Sequence, residues 1–117
     1  MENRDYSVLK FYASTTDKVG IKLFYEHIVY LAKEVGIAGV TVYRGVMGYG
    51  LSSSHISSTK FWEFTEKLPV VIEMIDETKK LEEFYKLIEP EIESMQKGCL
   101  VYMLPIQIKL LKKGNNN

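Results

Sequence analysis

An α+β fold in the order βαββαβ, followed by one extra C-terminal strand, is what this 117-residue sequence predicts. Three observations predict it. Apolar residues alternate, or run as β-branched stretches, in separate short segments. Two longer segments between them carry apolar residues at steps of three and four. Glycine, proline or a capping residue stands at most of the joints.

Ser7 to Ser14 alternates: Leu9, Phe11 and Ala13 point one way, and Val8, Lys10 and Tyr12 the other. Thr15-Thr16-Asp17 then offers a helix N-cap. Ile21, Phe24, Ile28, Leu31 and Val35 make a helical stripe that Gly36 is suited to end. Gly39-Val40-Thr41-Val42-Tyr43 reads as a strand continuing towards Met47. Gly48 to Lys60 has no hydrophobic period, which in a short domain points to a mobile or functional loop. Leu68 to Ile75 is the clearest strand, with Pro69 tolerated only near its start. A second helix begins near Asp76-Glu77-Thr78 and carries Leu81, Phe84, Tyr85, Ile88, Ile92 and Met95. Pro90 lies inside that pattern, so a kink or break is expected there, and Gly98 closes the helix. Leu100 to Leu104 is a further strand. Ile106 to Leu110 alternates again after Pro105, giving the extra one. The first six elements form the ferredoxin-like arrangement, an antiparallel sheet with two helices on one face.

Two helices leave the other face of such a sheet uncovered. That face holds Val8, Lys10 and Tyr12, then Thr41 and Tyr43, then Val71, Glu73 and Ile75. It is either an ordinary half-solvated sheet or a surface for another subunit, and the apolar content favours self-association.

Composition sets further bounds. Hydrophobic residues make up 46% and charged residues 26%, as in a folded domain. Lys+Arg and Asp+Glu both number 15, so bulk charge gives no attraction to nucleic acid or to an acidic membrane. Cys99 is the only cysteine, which excludes an internal disulfide and suits a reducing, cytoplasmic setting. No apolar run is long enough for membrane insertion. The whole chain, 1–117, reads as one domain with its core at about 7–110 and a frayed polar tail at 112–117.

Gly45, Gly48 and Gly50 cluster at the end of the second strand. Their spacing is G-x-x-G-x-G with no helix opening after it, so neither the dinucleotide fingerprint nor a Walker loop fits. They form either a bulge and turn or a backbone nest that an anion approaches closely. Arg44, Lys22 and Lys60 are the cations best suited to a phosphate beside such a nest, or else surface charges. His55 could contact phosphate; without companions at ligand spacing it gives no metal site. Ser52 to Ser54 lack a nucleophile elbow and an acid partner, so no catalytic residue is assigned and an enzyme is not expected. Phe61, Trp62 and Phe64 either pack or dock a target.

Val35-Gly36-Ile37-Ala38-Gly39-Val40-Thr41-Val42, then Gly48-Tyr49-Gly50, then Leu68-Pro69-Val70-Val71-Ile72-Glu73-Met74 resembles the PII signalling proteins. Tyr25-Glu26, Arg44-Gly45 and the strand from Leu68 to Asp76 bring it closer to a small uncharacterised family of PII-like proteins. The resemblance covers roughly residues 7–110. It implies a ferredoxin-like subunit of a homotrimer, with an adenine nucleotide, ATP or ADP, as effector in intersubunit clefts and no tightly bound cofactor. It further implies a mobile loop, residues 51–67, that meets a protein target. Gly48, Tyr49 and Gly50 would line the nucleotide cleft. After helix two the PII pattern Thr-Gly-basic-Ile-Gly-Asp-Gly is replaced by Gln96-Lys97-Gly98-Cys99-Leu100. Two other readings share the strand order: an amino-acid or small-molecule sensor like the ACT modules, and a metal-linked trimer like the CutA proteins.

Overall fold

The computed structural model describes residues 5–51, 56–58 and 67–115. In chain order it contains β1 (Tyr6–Ser14), a hairpin of β2 (Lys18–Val19) and β3 (Lys22–Leu23), α1 (Phe24–Val35) and β4 (Gly39–Arg44). A short pair, β5 (Met47–Gly48) and β6 (Ser57–Ser58), follows, then β7 (Pro69–Glu77), α2 (Thr78–Ser94) and β8 (Leu100–Ile106). The four long strands form one antiparallel sheet in the order β4-β7-β1-β8. This is the ferredoxin-like α+β fold that the element order predicts.

The covered face of the sheet is the core. Leu9 and Phe11 of β1, Ile72 and Met74 of β7, Phe24, Ile28 and Ala32 of α1, and Leu81, Phe84 and Ile88 of α2 are buried together. Each helix buries residues at steps of three or four because 3.6 residues per turn returns those positions to one side. Phe11 sits between the two helices. Its ring meets Phe24 and Phe84 edge-on, with centroids 6.5 and 6.4 Å away.

Gly36 ends α1 with φ 88°, a left-handed conformation that a Cβ would strain. Its N–H and that of Ile37 turn back to the carbonyls of Lys33 and Ala32, at 3.2 and 2.9 Å, and Ile37 is buried beyond the turn. The start of α1 differs from expectation. Thr15-Thr16-Asp17 does not cap it; the β2–β3 hairpin intervenes, and the helix begins after Leu23 with no side-chain cap. Asp17 is instead the buried closing residue of the turn after β1, where its Oδ2 accepts the Ser14 N–H at 2.9 Å. Its carbonyl accepts the Phe24 N–H at 2.8 Å, so the helix is still tied to this residue, by backbone.

Pro90 does not break α2, which continues to Ser94. Proline removes one donor near the last turn, and the remaining bonds and the buried face keep the element whole. Gly98 lies beyond a helix that has already ended. The extra C-terminal strand is also not formed: β8 runs through Pro105 to Ile106, and residues 107–115 belong to no strand. β8 is an edge strand, so a missing N–H at Pro105 is tolerated. Among the described residues none pairs with the chain beyond Ile106.

Among the described residues no element covers the second face of the sheet, as the alternation predicts. Its rows, set by register, are Leu104–Val8–Ile75–Gly39, Tyr102–Lys10–Glu73–Thr41 and Leu100–Tyr12–Val71–Tyr43. Lys10 Nζ lies 3.4 Å from Glu73 Oε2, and the Tyr43 hydroxyl donates to Glu73 Oε1 at 3.4 Å. The Tyr12 and Tyr102 rings stack with centroids 5.8 Å apart. Tyr43, Ile75, Leu100 and Leu104 remain exposed around this polar centre.

Candidate functional site

The glycine segment leaves the sheet at the end of β4. The Gly45 N–H donates to the Pro69 carbonyl at 2.8 Å, which lays the chain across the start of β7. A Cβ at Gly45 would come within 3.1 Å of Pro69 Cγ, and one at Gly48 within 3.2 Å. Both glycines are therefore favoured by close approach to the Pro69 ring. Positive φ is not the reason: among the described residues only Gly20 and Gly36 have it. Met47 and Gly48 then pair with Ser58 and Ser57. A segment without periodicity thus starts and returns as a two-stranded arm, held by backbone bonds that side-chain patterning does not announce.

Sheet order brings a second segment to the same end. β1 pairs with β7 on one side, Ser14 opposite Pro69, and with β8 on the other, Tyr12 opposite Leu100. The segment before β8, Lys97-Gly98-Cys99, therefore flanks the end of β1 opposite the glycine segment. Between them lies a cavity of about 440 Å³. Gly48, Tyr49, Gly50 and Leu51 form one wall, Lys97 to Leu100 the other, and Tyr12 to Ser14 with Asp17 lie between, while Lys67 and Pro69 also line it. Thr15 holds this end together: its N–H donates to the Leu68 carbonyl at 2.9 Å, and its Oγ1 accepts the Leu68 N–H at 3.1 Å.

Of the residues singled out in the sequence, the structure gathers Gly48, Tyr49 and Gly50 at the cavity. Gly45 supports it through Pro69 without lining it. Arg44 is exposed at the end of β4, and Lys22 is exposed on β3; neither lines the cavity. His55 and Lys60 lie outside the described residues, as do Ser52 to Ser54, Phe61, Trp62, Phe64 and most of loop 51–67. Sequence reasoning missed Lys97, Lys67 and Asp17. The available signal was Lys97-Gly98 ahead of a strand, but its place beside Tyr49 follows only from β8 pairing with β1.

The wall residue Cys99 is half-buried, and its thiol is pushed up to about 11 by burial, then by the nearby Asp17 carboxylate, against a lowering contact with the Tyr12 backbone. It is a neutral thiol at ordinary pH. Among the described residues no three of His, Cys, Asp or Glu converge as metal ligands, and no helix is long and apolar enough to cross a membrane.

The two-helix, antiparallel ferredoxin-like fold is shared with solved PII-like proteins. Their solved structures align over most of the chain. A putative PII-like signalling protein from Thermus thermophilus matches with a TM-score of 0.60 and 13% identity, covering 88% of both chains. CPII, a nitrogen regulatory PII-like protein from Thiomonas intermedia K12, matches with a TM-score of 0.59 and 14% identity, covering 87% of this chain and 88% of its own; that structure is bound to ADP, AMP and bicarbonate. At such identities the likeness is one of fold. The family is set by sequence. The model of DUF190, described as Uncharacterized ACR, COG1993, matches residues 6–108, and the chain belongs to that family. A UPF0166 protein of Aquifex aeolicus is 35% identical over 93 residues, 80% of this chain and 84% of that protein. A UPF0166 protein of Methanocaldococcus jannaschii is 38% identical over 69 residues, 59% of this chain and 62% of its own.

Proposed function

We propose that this chain is a PII-like regulatory subunit that binds an adenine nucleotide, ATP or ADP, at the cavity between Gly48–Leu51 and Lys97–Leu100. The observation that carries the reading is that cavity itself, where a glycine-bearing backbone and a lysine-glycine pair face each other. Its volume falls within the range of small-molecule sites. The ADP- and AMP-bound state of the CPII neighbour supports the ligand class. Lys97 and Lys67 supply the positive charge that phosphates need. Arg44 adds a cation at the end of β4, and His55 and Lys60 are the further cationic candidates in the sequence.

In the same reading the uncovered sheet face meets other copies of the chain, a homotrimer forms, and each cleft is completed by a neighbouring subunit. The arm that leaves at Met47–Gly48 and returns at Ser57–Ser58 presents a loop to a protein target in the cytoplasm. The role is binding and signalling, without catalysis and without a tightly held cofactor. Titration calorimetry with ATP, ADP and AMP tests it. Saturable binding by at least one of them is expected, weakened in Lys97→Ala. Absence of saturable heat from all three at millimolar concentration overturns it.

A further inference from the structure

The cavity changes sign between rim and floor. Lys97 is exposed and Lys67 half-buried, whereas Asp17 is only 5% exposed, yet all three line the same space. Asp17 is fixed there by the Ser14 N–H on Oδ2, 2.9 Å away, and by its own backbone bonds to Ser14 and Phe24. A carboxylate accepts about four hydrogen bonds and donates none. One bond to Ser14 leaves acceptor capacity beside the cavity. A phosphate brought to this end would set anion against anion in a half-enclosed site. A neutral group bearing O–H or N–H would be welcomed.

Resting on the nucleotide reading of the same cavity, we propose that Asp17 reads the nucleoside end of the ligand, accepting a hydrogen bond from a ribose hydroxyl or from the exocyclic amine, while the phosphates stay at the lysine rim. The two donors share one chemistry and belong to different parts of the nucleoside. Asp17 thereby makes the site directional and lets it distinguish nucleosides by what they donate. A site that leaves a carboxylate unmatched when the donor is missing discriminates more sharply than an apolar pocket that merely loses contact.

The test is calorimetry with ADP, 2′-deoxy-ADP, 3′-deoxy-ADP and inosine diphosphate on the full chain and on Asp17→Asn and Lys97→Ala. The wild type should lose about tenfold or more in affinity for whichever analogue lacks the donor Asp17 reads. Asparagine can keep the Ser14 bond through its amide oxygen but presents N–H₂ in place of the second oxygen. Asp17→Asn should therefore shrink the preference for ADP over a deoxy analogue, or reverse it where the analogue is inosine diphosphate, whose O6 accepts from N–H₂. Lys97→Ala should weaken all four in parallel. Equal binding of all four ligands by the wild type, or an unchanged ratio in Asp17→Asn, overturns the proposal while leaving nucleotide binding intact. If circular dichroism shows Asp17→Asn unfolded, the wild-type series alone decides. If none of the four binds, the nucleotide reading falls and this inference with it.

Discussion

A Cβ at Gly48 would lie 3.2 Å from Pro69 Cγ, whereas one at Gly50 meets nothing within 4 Å. Two glycines that look equivalent in Gly48-Tyr49-Gly50 therefore fail differently when replaced. Gly48→Val should lower the thermal midpoint, with an overpacking cost of about 1–3 kcal/mol, because its branched side chain is larger than the space a shift of the Pro69 ring can open. Gly50→Val should leave stability within about 0.5 kcal/mol and act on ligand affinity if backbone approach matters there. Both are read by thermal melts beside calorimetry. Cys99 offers an independent report on the cavity. With its thiol near 11, only about one part in ten thousand is thiolate at pH 7. Alkylation should be slow at neutral pH, rise roughly tenfold per pH unit in alkaline buffer, and slow again when ADP occupies the cavity. A fast, pH-independent reaction would show that burial and Asp17 do not control this thiol.

Strands β1 and β7 and both helices were legible because each buries one face, and burial writes a period into the sequence: Leu9 and Phe11, then Ile72 and Met74, then Leu81, Phe84 and Ile88. The β2–β3 hairpin and the β5–β6 arm were not, because two-residue ladders are too short to write a period and are set by backbone pairing. The cavity was half legible. Gly48 to Gly50 stood out by composition, but Lys97 and Asp17 join them only through the order of strands. The same limit produced the expected strand at 106–110, where alternation exists without a partner among the described residues beyond Ile106. The joint of β7 and α2 is an element whose strength can be measured. Asp76 is buried and accepts the N–H groups of Ala38 and Glu77 and the Lys80 ammonium, at 2.9, 2.6 and 3.1 Å. Burial pushes its carboxyl up, but the two N–H donors and Lys80 together hold it below the ordinary 3.8. A depressed folded value means the stabilisation is full above 3.8 and is lost as pH falls through the folded value. Asp76→Asn should cost about 1–3 kcal/mol at pH 7 and flatten the acid limb of a stability–pH profile. A variant with an unchanged acid limb would show that other carboxylates control it.

At the scale of the molecule, one face of the sheet remains to be covered. Ile75 is 37% exposed and Leu104 51%, both in a row through Val8 and beside the Lys10–Glu73 pair. Apolar side chains around a pinned charge pair suit another copy of the same surface, since the pair adds register and the rim adds area. Ile75→Lys should yield a monomer in light scattering with its helical circular dichroism retained, because the residue points away from the core. A variant that stays assembled would place the interface elsewhere. In the proposed reading assembly and ligand binding meet in the cleft, so one experiment tests both. Native mass spectrometry of the protein with and without ADP should give an assembly three times 13.5 kDa that takes up to three nucleotides. A single 13.5 kDa species that gains no mass from millimolar ADP would contradict the account.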